Sequence, residues 1–101
     1  MAITSVISAD GSELTIAVEG RFDFSSHQDF RRAYEGQPSQ VARYVVDLQE
    51  TTYLDSSALG MLLLLKDYAG GDEADISVVN CSDDVRKILA ISNFEQLFTI
   101  K

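Results

Sequence analysis

Residues 54–65 read Leu-Asp-Ser-Ser-Ala-Leu-Gly-Met-Leu-Leu-Leu-Leu, and this segment has the marks of a helix N-terminus. Asp55 is a good N-cap residue, and Leu54 and Leu59 stand at the two positions of a hydrophobic staple. The helix is predicted to begin near Asp55 and to end at Gly70-Gly71. After its first turn it is apolar on nearly all sides, which is more than one buried face requires. We therefore expect part of this helix to face a partner.

Strands are predicted before and after this helix in the sequence, from short apolar runs rich in β-branched residues. These runs are Ile3–Ser8, Glu13–Glu19, Arg43–Leu48, Asp75–Asn80 and Leu97–Ile100. Asp10-Gly11 joins the first two, and an Asp-Gly pair between apolar runs is a strong hairpin signal. The second run alternates cleanly, with Leu14, Ile16 and Val18 on one face, and Gly20 is predicted to end it.

Two further helices are predicted between the strands. The first follows Ser25-Ser26-His27-Gln28, which fits a capping box, and it is predicted to end at Gly36 and Pro38. Its buried face is predicted to hold Phe30, Ala33 and Tyr34. The other helix is predicted to be capped at Ser82, with a buried stripe of Val85, Ile88 and Leu89.

The resulting order, β-β-α-β-α-β-α-β, predicts an α/β fold with a mostly parallel, mixed sheet of about five strands and three or four helices. The 101 residues, 46% of them hydrophobic, form one domain spanning residues 1–101. The carboxyl ends of parallel strands share one edge of a sheet, where sites are commonly built. We expect that edge to gather Asp23, Ser25, Ser26, Asp55, Ser56 and Ser82.

The charge and cysteine counts exclude several classes of function. Sixteen acids against eight bases give a net charge of −8, which argues against nucleic acid and against anionic membranes as partners. One Cys and one His exclude an internal disulfide and a zinc site of the usual ligands. No apolar run approaches the roughly 20 residues that cross a bilayer, and the first ten residues have neither the basic region nor the long apolar core of a signal peptide, so we expect none. We expect a cytoplasmic protein without a metal or cofactor.

Enzymatic alternatives find little support in the residue pattern. A Ser-His hydrolase would have to pair Ser56 with His27, but no third orienting group and no Gly-rich oxyanion loop are present. Asp23 and Asp55 offer a carboxylate pair, but a domain this small has little from which to form a cleft. Asp47 follows Val45-Val46 as the phosphoacceptor does in a receiver domain, without the acidic pair and the lysine that a receiver needs.

Ser56 has two interpretations on physical grounds alone. In one, Asp55 caps the helix, Ser56 and Ser57 fill a polar first turn, and the leucines are core. In the other, Ser56 accepts a phosphate, which would meet unpaired N–H groups and the positive end of the helix dipole. Spacing alone favours the first interpretation, and the apolar excess of the helix favours the second.

The segment Tyr53-Leu54-Asp55-Ser56-Ser57-Ala58-Leu59-Gly60-Met61-Leu62 resembles the signature of the STAS domain family, specifically the bacterial anti-sigma factor antagonists. Gly20-Arg21-Phe22-Asp23 resembles the family's Gly-x-hydrophobic-Asp segment after the second strand. Tyr44–Leu48 resembles its third strand, and the segment from Val85 to Phe94 resembles its late helix and turn. The resemblance covers essentially the whole chain, and Asp-Ser-Ser-x-Leu-Gly is its most specific part.

The resemblance implies a phosphorylation switch in transcription regulation. In such proteins the Ser after the signature Asp, here Ser56, is phosphorylated by an anti-sigma factor with serine kinase activity. The unphosphorylated form binds that factor and frees a sigma factor, and a PP2C-type phosphatase resets the switch. Asp23 corresponds to a family acid near the partner surface, and Ala58, where many members have Gly, is expected to face the partner. The predicted partner-binding residues are Asp23, Ser25, Ser26, Asp55, Ser57, Ala58 and Met61.

The family also includes a different class of function. Some STAS domains are constitutive adaptor subunits of membrane-transport ATPase complexes, and this is the alternative function for the chain. The intact Asp55-Ser56-Ser57 favours the phosphorylation switch, because an adaptor need not keep the acceptor.

Overall fold

The computed structural model describes residues 2–37 and 41–101, and within them it has six strands and three α-helices. The strands are β1 (Ala2–Ile7), β2 (Glu13–Phe22), β3 (Arg43–Asp47), β4 (Thr51–Leu54), β5 (Ile76–Val79) and β6 (Thr99–Ile100). The helices are α1 (His27–Glu35), α2 (Ser56–Tyr68) and α3 (Asp83–Ile91), with short 3-10 turns at Phe24–Ser26, Gly71–Glu73 and Phe94–Gln96. None of these helices is both long enough and apolar enough to span a bilayer.

The sheet is mostly parallel, as predicted. Its order is β1-β2-β3-β5-β6, and β4 pairs with the end of β2. β1 is antiparallel to β2 across the predicted hairpin, and every other pair is parallel. The last strand is shorter than predicted, because the 3-10 turn at Phe94–Gln96 leaves only Thr99–Ile100 to pair with β5.

One face of the sheet carries the core. Leu14, Ile16 and Val18 of β2 are buried as predicted, and Val46 and Val78 lie beside them on β3 and β5. The opposite face is more accessible, since no residue is buried among Thr15, Ala17, Val45, Ser77 and Val79. The helices therefore cover one face, which explains why the central strands alternate between buried and half-buried positions.

β2 does not end at Gly20, contrary to the sequence-based prediction. Gly20 has a φ of 86°, a left-handed conformation that favours glycine, and the strand register shifts between Gly20 and Arg21. Past this bulge the strand continues to Phe22 and pairs with β4, which the sequence did not reveal. The Thr51 hydroxyl fixes β4 by donating to the Val18 carbonyl at 2.7 Å.

The predicted capping box before α1 is also wrong. Ser26 precedes the helix, but its hydroxyl donates to the Arg21 carbonyl at 3.1 Å and makes no cap to the helix. The cap lies one turn earlier, where Asp23 accepts from the Ser25 N–H at 3.0 Å and starts the 3-10 turn. The predicted stop at Gly36 agrees with the end of the helix at Glu35, and Pro38 lies outside the described residues.

The predicted N-caps of the other two helices are confirmed. Asp55 caps α2 by accepting from the Ala58 N–H at 3.2 Å, and Ser82 caps α3 by accepting from the Val85 N–H at 3.3 Å. Phe30 and Tyr34 are buried on α1, and Leu89 is buried on α3.

The hairpin between β1 and β2 is held by Asp10. Its carboxylate accepts from the Ser8 and Ser12 hydroxyls, both at 2.7 Å, and from the Ser12 N–H at 3.0 Å. These bonds, that from Ser8 first, lower the pKa of Asp10 from its ordinary 3.8 to about 2. A depressed pKa contributes stability above the ordinary pKa, and this contribution is lost as the pH falls towards 2.

We therefore predict that Asp10→Asn reduces stability at neutral pH and flattens the loss of stability between pH 4 and pH 2. Urea unfolding across that pH range measures both slopes. Asp75→Asn, at an exposed position just before β5 and outside any helix, is the matched control. A variant with the wild-type acid slope would contradict the assigned role of Asp10.

Candidate functional site

The candidate site is built where β2 and β4 end side by side. Phe22 pairs with Leu54 in parallel register, so Asp23 and Asp55 each directly follow a paired residue. Each carboxylate then caps the helical turn after it, Asp23 the 3-10 turn before α1 and Asp55 helix α2. Two acids thus follow adjacent strand ends, as expected from the topology. Ser82 caps α3, which contacts β4 at the same end of the sheet.

Asp23 is held as a carboxylate by its neighbours. It accepts from the Ser25 hydroxyl at 2.6 Å, from the Ser25 N–H at 3.0 Å and from Arg21 Nε at 3.2 Å. The Ser25 hydroxyl first, and then Arg21, lower the pKa of Asp23 below its ordinary value. The Arg21 guanidinium also lies over the ring of Tyr53, 4.2 Å from its centroid. This cation-π contact joins the end of β2 to the end of β4.

Ser56 is the first residue of α2 and is exposed, whereas Ser57 behind it is half-buried. The first N–H groups of a helix have no intrahelical partner and attract negative charge. Asp55 occupies only one of them, the N–H of Ala58. The Ser56 hydroxyl is therefore accessible to another protein at a position where a phosphate is compatible with the helix.

Three of the predicted partner-binding residues are buried within the protein. Ser26 and Ala58 are 0% exposed and Met61 is 4% exposed. Ala58 and Met61 lie on the inner face of α2 with Leu62 and Leu65, at the spacing of one helix face. The expectation that the Ala58 methyl faces a partner is therefore wrong, because that methyl packs in the core.

The residues on the outer face of α2, in contrast, are exposed to solvent. We call Ser56, Gly60, Leu63 and Leu64 the outer stripe, since they follow one another at helical spacing on the side away from the core. Leu63 is 43% exposed and Leu64 is 53% exposed. The sequence indicated that α2 has more apolar residues than one buried face needs. In the structure, Leu63 and Leu64 are apolar residues of α2 that remain exposed.

A groove of about 240 Å³ between α1 and α2 adjoins the outer stripe, and sequence reasoning missed it. Its α2 side includes Met61, Leu64 and Tyr68, and its α1 side includes His27 and Tyr34. In the sequence, the aromatic residues of α1 are the feature that could have indicated such a groove. His27 lines this groove and Ser56 does not.

Packing within the described residues does not explain the glycine at position 60 of α2. A Cβ built there meets none of their atoms within 4 Å, the neighbouring backbone of its own helix aside. A mid-helix Gly costs about 1 kcal/mol relative to Ala. We predict that Gly60→Ala raises the free energy of unfolding by about that amount in urea titration. A variant less stable than wild type would show a packing constraint at this position.

A family model described as "Mlab, STAS domain" matches residues 5–99. A STAS-domain containing protein of Pseudomonas aeruginosa (strain UCBPP-PA14) is 70% identical over 100 residues, covering 99% of both chains.

Solved structures share the fold at much lower identity. An anti-sigma factor antagonist described as putative, from Thermotoga maritima, superposes with a TM-score of 0.82 at 13% identity, covering 97% of this chain and 84% of its own. The unphosphorylated form of the anti-sigma factor antagonist SpoIIAA gives a TM-score of 0.72 at 16% identity, covering 99% and 87%.

Proposed function

The chain belongs to the STAS domain family, and on that premise we propose that it is a cytoplasmic, non-enzymatic anti-sigma factor antagonist switched at Ser56. In its unphosphorylated form it binds an anti-sigma factor that has serine kinase activity, and a sigma factor is released. Phosphorylation of Ser56 ends the binding, and a PP2C-type phosphatase restores it. The similarity to SpoIIAA in fold supports this class of function.

The observation that carries the proposal is the position of Ser56 at the head of the outer stripe. An exposed hydroxyl begins a row of exposed apolar side chains on the same helix face, and none of them is needed for the core. A partner that covers Leu63 and Leu64 therefore also covers Ser56. Gly60, without a side chain, lets the partner approach the α2 backbone between them.

Electrostatics explains how a phosphate ends the binding. Phosphorylation adds about −1.5 to −2 charges at neutral pH. The chain already has a net charge of −8, and the carboxylates of Asp23 and Asp55 stand at the adjacent strand ends. A partner surface that fits the neutral hydroxyl would meet an uncompensated charge at the centre of the contact, which costs several kcal/mol.

Asp23 is proposed to belong to the same interface. It is half-buried, and its carboxylate orders Ser25 and Arg21 at the end of β2. We predict that Asp23→Ala weakens partner binding in calorimetric titration and lowers the melting temperature modestly, because the 3-10 turn loses its cap. The matched control is Asp10→Ala, which loosens the hairpin at the other end of β2 and should leave partner binding unchanged. Equal binding by the Asp23 variant and wild type would remove Asp23 from the interface.

The phosphorylation step is tested with the protein from its own cells. Intact mass measurement under two growth conditions should show a fraction carrying one phosphoryl group, in a proportion that changes with the condition. Treatment with a PP2C-type phosphatase should remove it. A single unmodified mass under all conditions, together with stable copurification with a transport ATPase, would favour the adaptor function.

A further inference from the structure

β1 is an edge strand without the features that usually protect an edge. It pairs with β2 over all six of its residues, and no other strand of the described residues pairs with its second side. Residues 2–7 contain no charged residue and no proline, and their pairing with β2 has no bulge. Natural proteins usually place charges, bulges or prolines at such edges to prevent pairing with another strand. The opposite edge, β6, has only two residues.

The free edge of β1 presents a defined set of backbone groups. The Ser8 N–H donates to the Glu13 carbonyl at 2.8 Å, so this pair is a hydrogen-bonded pair of the hairpin. Antiparallel pairs alternate between bonded and non-bonded types. The N–H and carbonyl groups of Ile3, Ser5 and Ile7 therefore point away from β2, towards the free edge.

We propose that this edge binds a second copy of the chain, with β1 pairing antiparallel to β1 of the partner about a two-fold axis at Ser5. Ser5 then lies opposite the partner's Ser5, and Ile3 lies opposite the partner's Ile7. In this register, the outward-pointing N–H groups of one copy lie opposite outward-pointing carbonyl groups of the other copy. The register also keeps the helices of both copies on the same side of one continuous sheet, because opposed residues share a face.

If two copies associate, contact through the uncharged β1 edge places no like charges opposite each other. Two chains of net charge −8 repel each other in most orientations, and β1 is a segment where they meet without facing charges. Its side chains also gain cover, since Val6 is 66% exposed and Ile7 is 39% exposed. The strand is about 20 Å long, so the contact falls below the standard interface of about 800 Å² per partner. We expect a dissociation constant between about 1 μM and 1 mM.

Sedimentation equilibrium of the wild-type protein up to about 1 mM tests the dimer. The average mass should rise with concentration, and the dimer should strengthen with added salt, because salt screens the repulsion between the two chains. Ser5→Lys places two like charges directly opposite and should weaken the dimer at least tenfold. Thr99→Lys, at the opposite edge, is the matched control and should leave it intact. A monomer at all concentrations and salt levels, or equal dimerisation by Ser5→Lys, would overturn the proposal.

Cross-linking tests the register independently. In a Cys81→Ser background, Ser5→Cys should form an intermolecular disulfide on mild oxidation, because the two Cα atoms lie about 5.5 Å apart. Thr4→Cys should not, since its symmetry mate is displaced along the strand beyond bridging distance. Cross-linking of both variants at equal rates would contradict the proposed axis.

Discussion

Ser56→Asp is expected to fold as wild type and to bind the anti-sigma partner at least tenfold more weakly. The carboxylate lies at the first position of α2, where the helix dipole accepts negative charge, so stability is retained. At the interface the same charge faces a surface that fits a neutral hydroxyl. Each 1.4 kcal/mol of repulsion or desolvation reduces affinity about tenfold. Titration calorimetry and thermal unfolding of the same samples measure the two effects separately.

Ser56→Ala is the matched variant in the opposite direction. It lacks the hydroxyl but adds no charge, so it should bind the partner and resist release by ATP. Equal affinities for Ser56→Asp and wild-type protein would show that charge at this position does not control binding.

The second large effect is a difference between alanine substitutions at two adjacent leucines of α2. Leu64 is 53% exposed on the outer stripe, and Leu65 is 0% exposed in the core. Leu64→Ala should change the free energy of unfolding by about 0.5 kcal/mol or less and weaken partner binding about tenfold. Leu65→Ala should cost about 2–5 kcal/mol of stability, because it leaves a cavity beneath the helix.

The pair is informative because both changes remove the same atoms from neighbouring residues. Urea unfolding gives the stability of each variant, and calorimetry below the unfolding transition gives its affinity. Normal binding by Leu64→Ala would place the partner on another face of α2.

The sequence was most informative where local chemistry determines structure. Asp55 and Ser82 cap their helices as predicted, because each begins a polar first turn before an apolar helix. The alternation of Leu14, Ile16 and Val18 identified the buried face of β2 for the same reason. Such features depend on residues within one turn or one strand of each other.

The missed features depend on contacts between distant segments. β4 has only four residues, and it is recognisable as a strand only because β2 continues past the bulge at Gly20 to pair with it. The cap at Asp23 was assigned to Ser25-Ser26, since the 3-10 turn before α1 has no distinct sequence pattern. Both errors fall at the end of the sheet where the site is built.

The position of a residue around α2 was equally hard to predict. A helix that is apolar on nearly all sides does not reveal which face packs on the sheet. The family resemblance places Ala58 and Met61 at a partner surface, but both are buried, while Leu63 and Leu64 are exposed. Only the packing of α2 against the rest of the protein decides between them.

The central claim is that Ser56 is the phosphate acceptor of a binding switch. Incubation of wild-type, Ser56→Ala and Ser57→Ala proteins with the partner kinase and ATP, followed by phosphosite mapping, tests it most directly. We predict phosphate on Ser56 in the wild-type and Ser57→Ala proteins, none in Ser56→Ala, and loss of partner binding in step with the modification. Phosphate on Ser57 with Ser56 unmodified, or full binding by the phosphorylated protein, would contradict it.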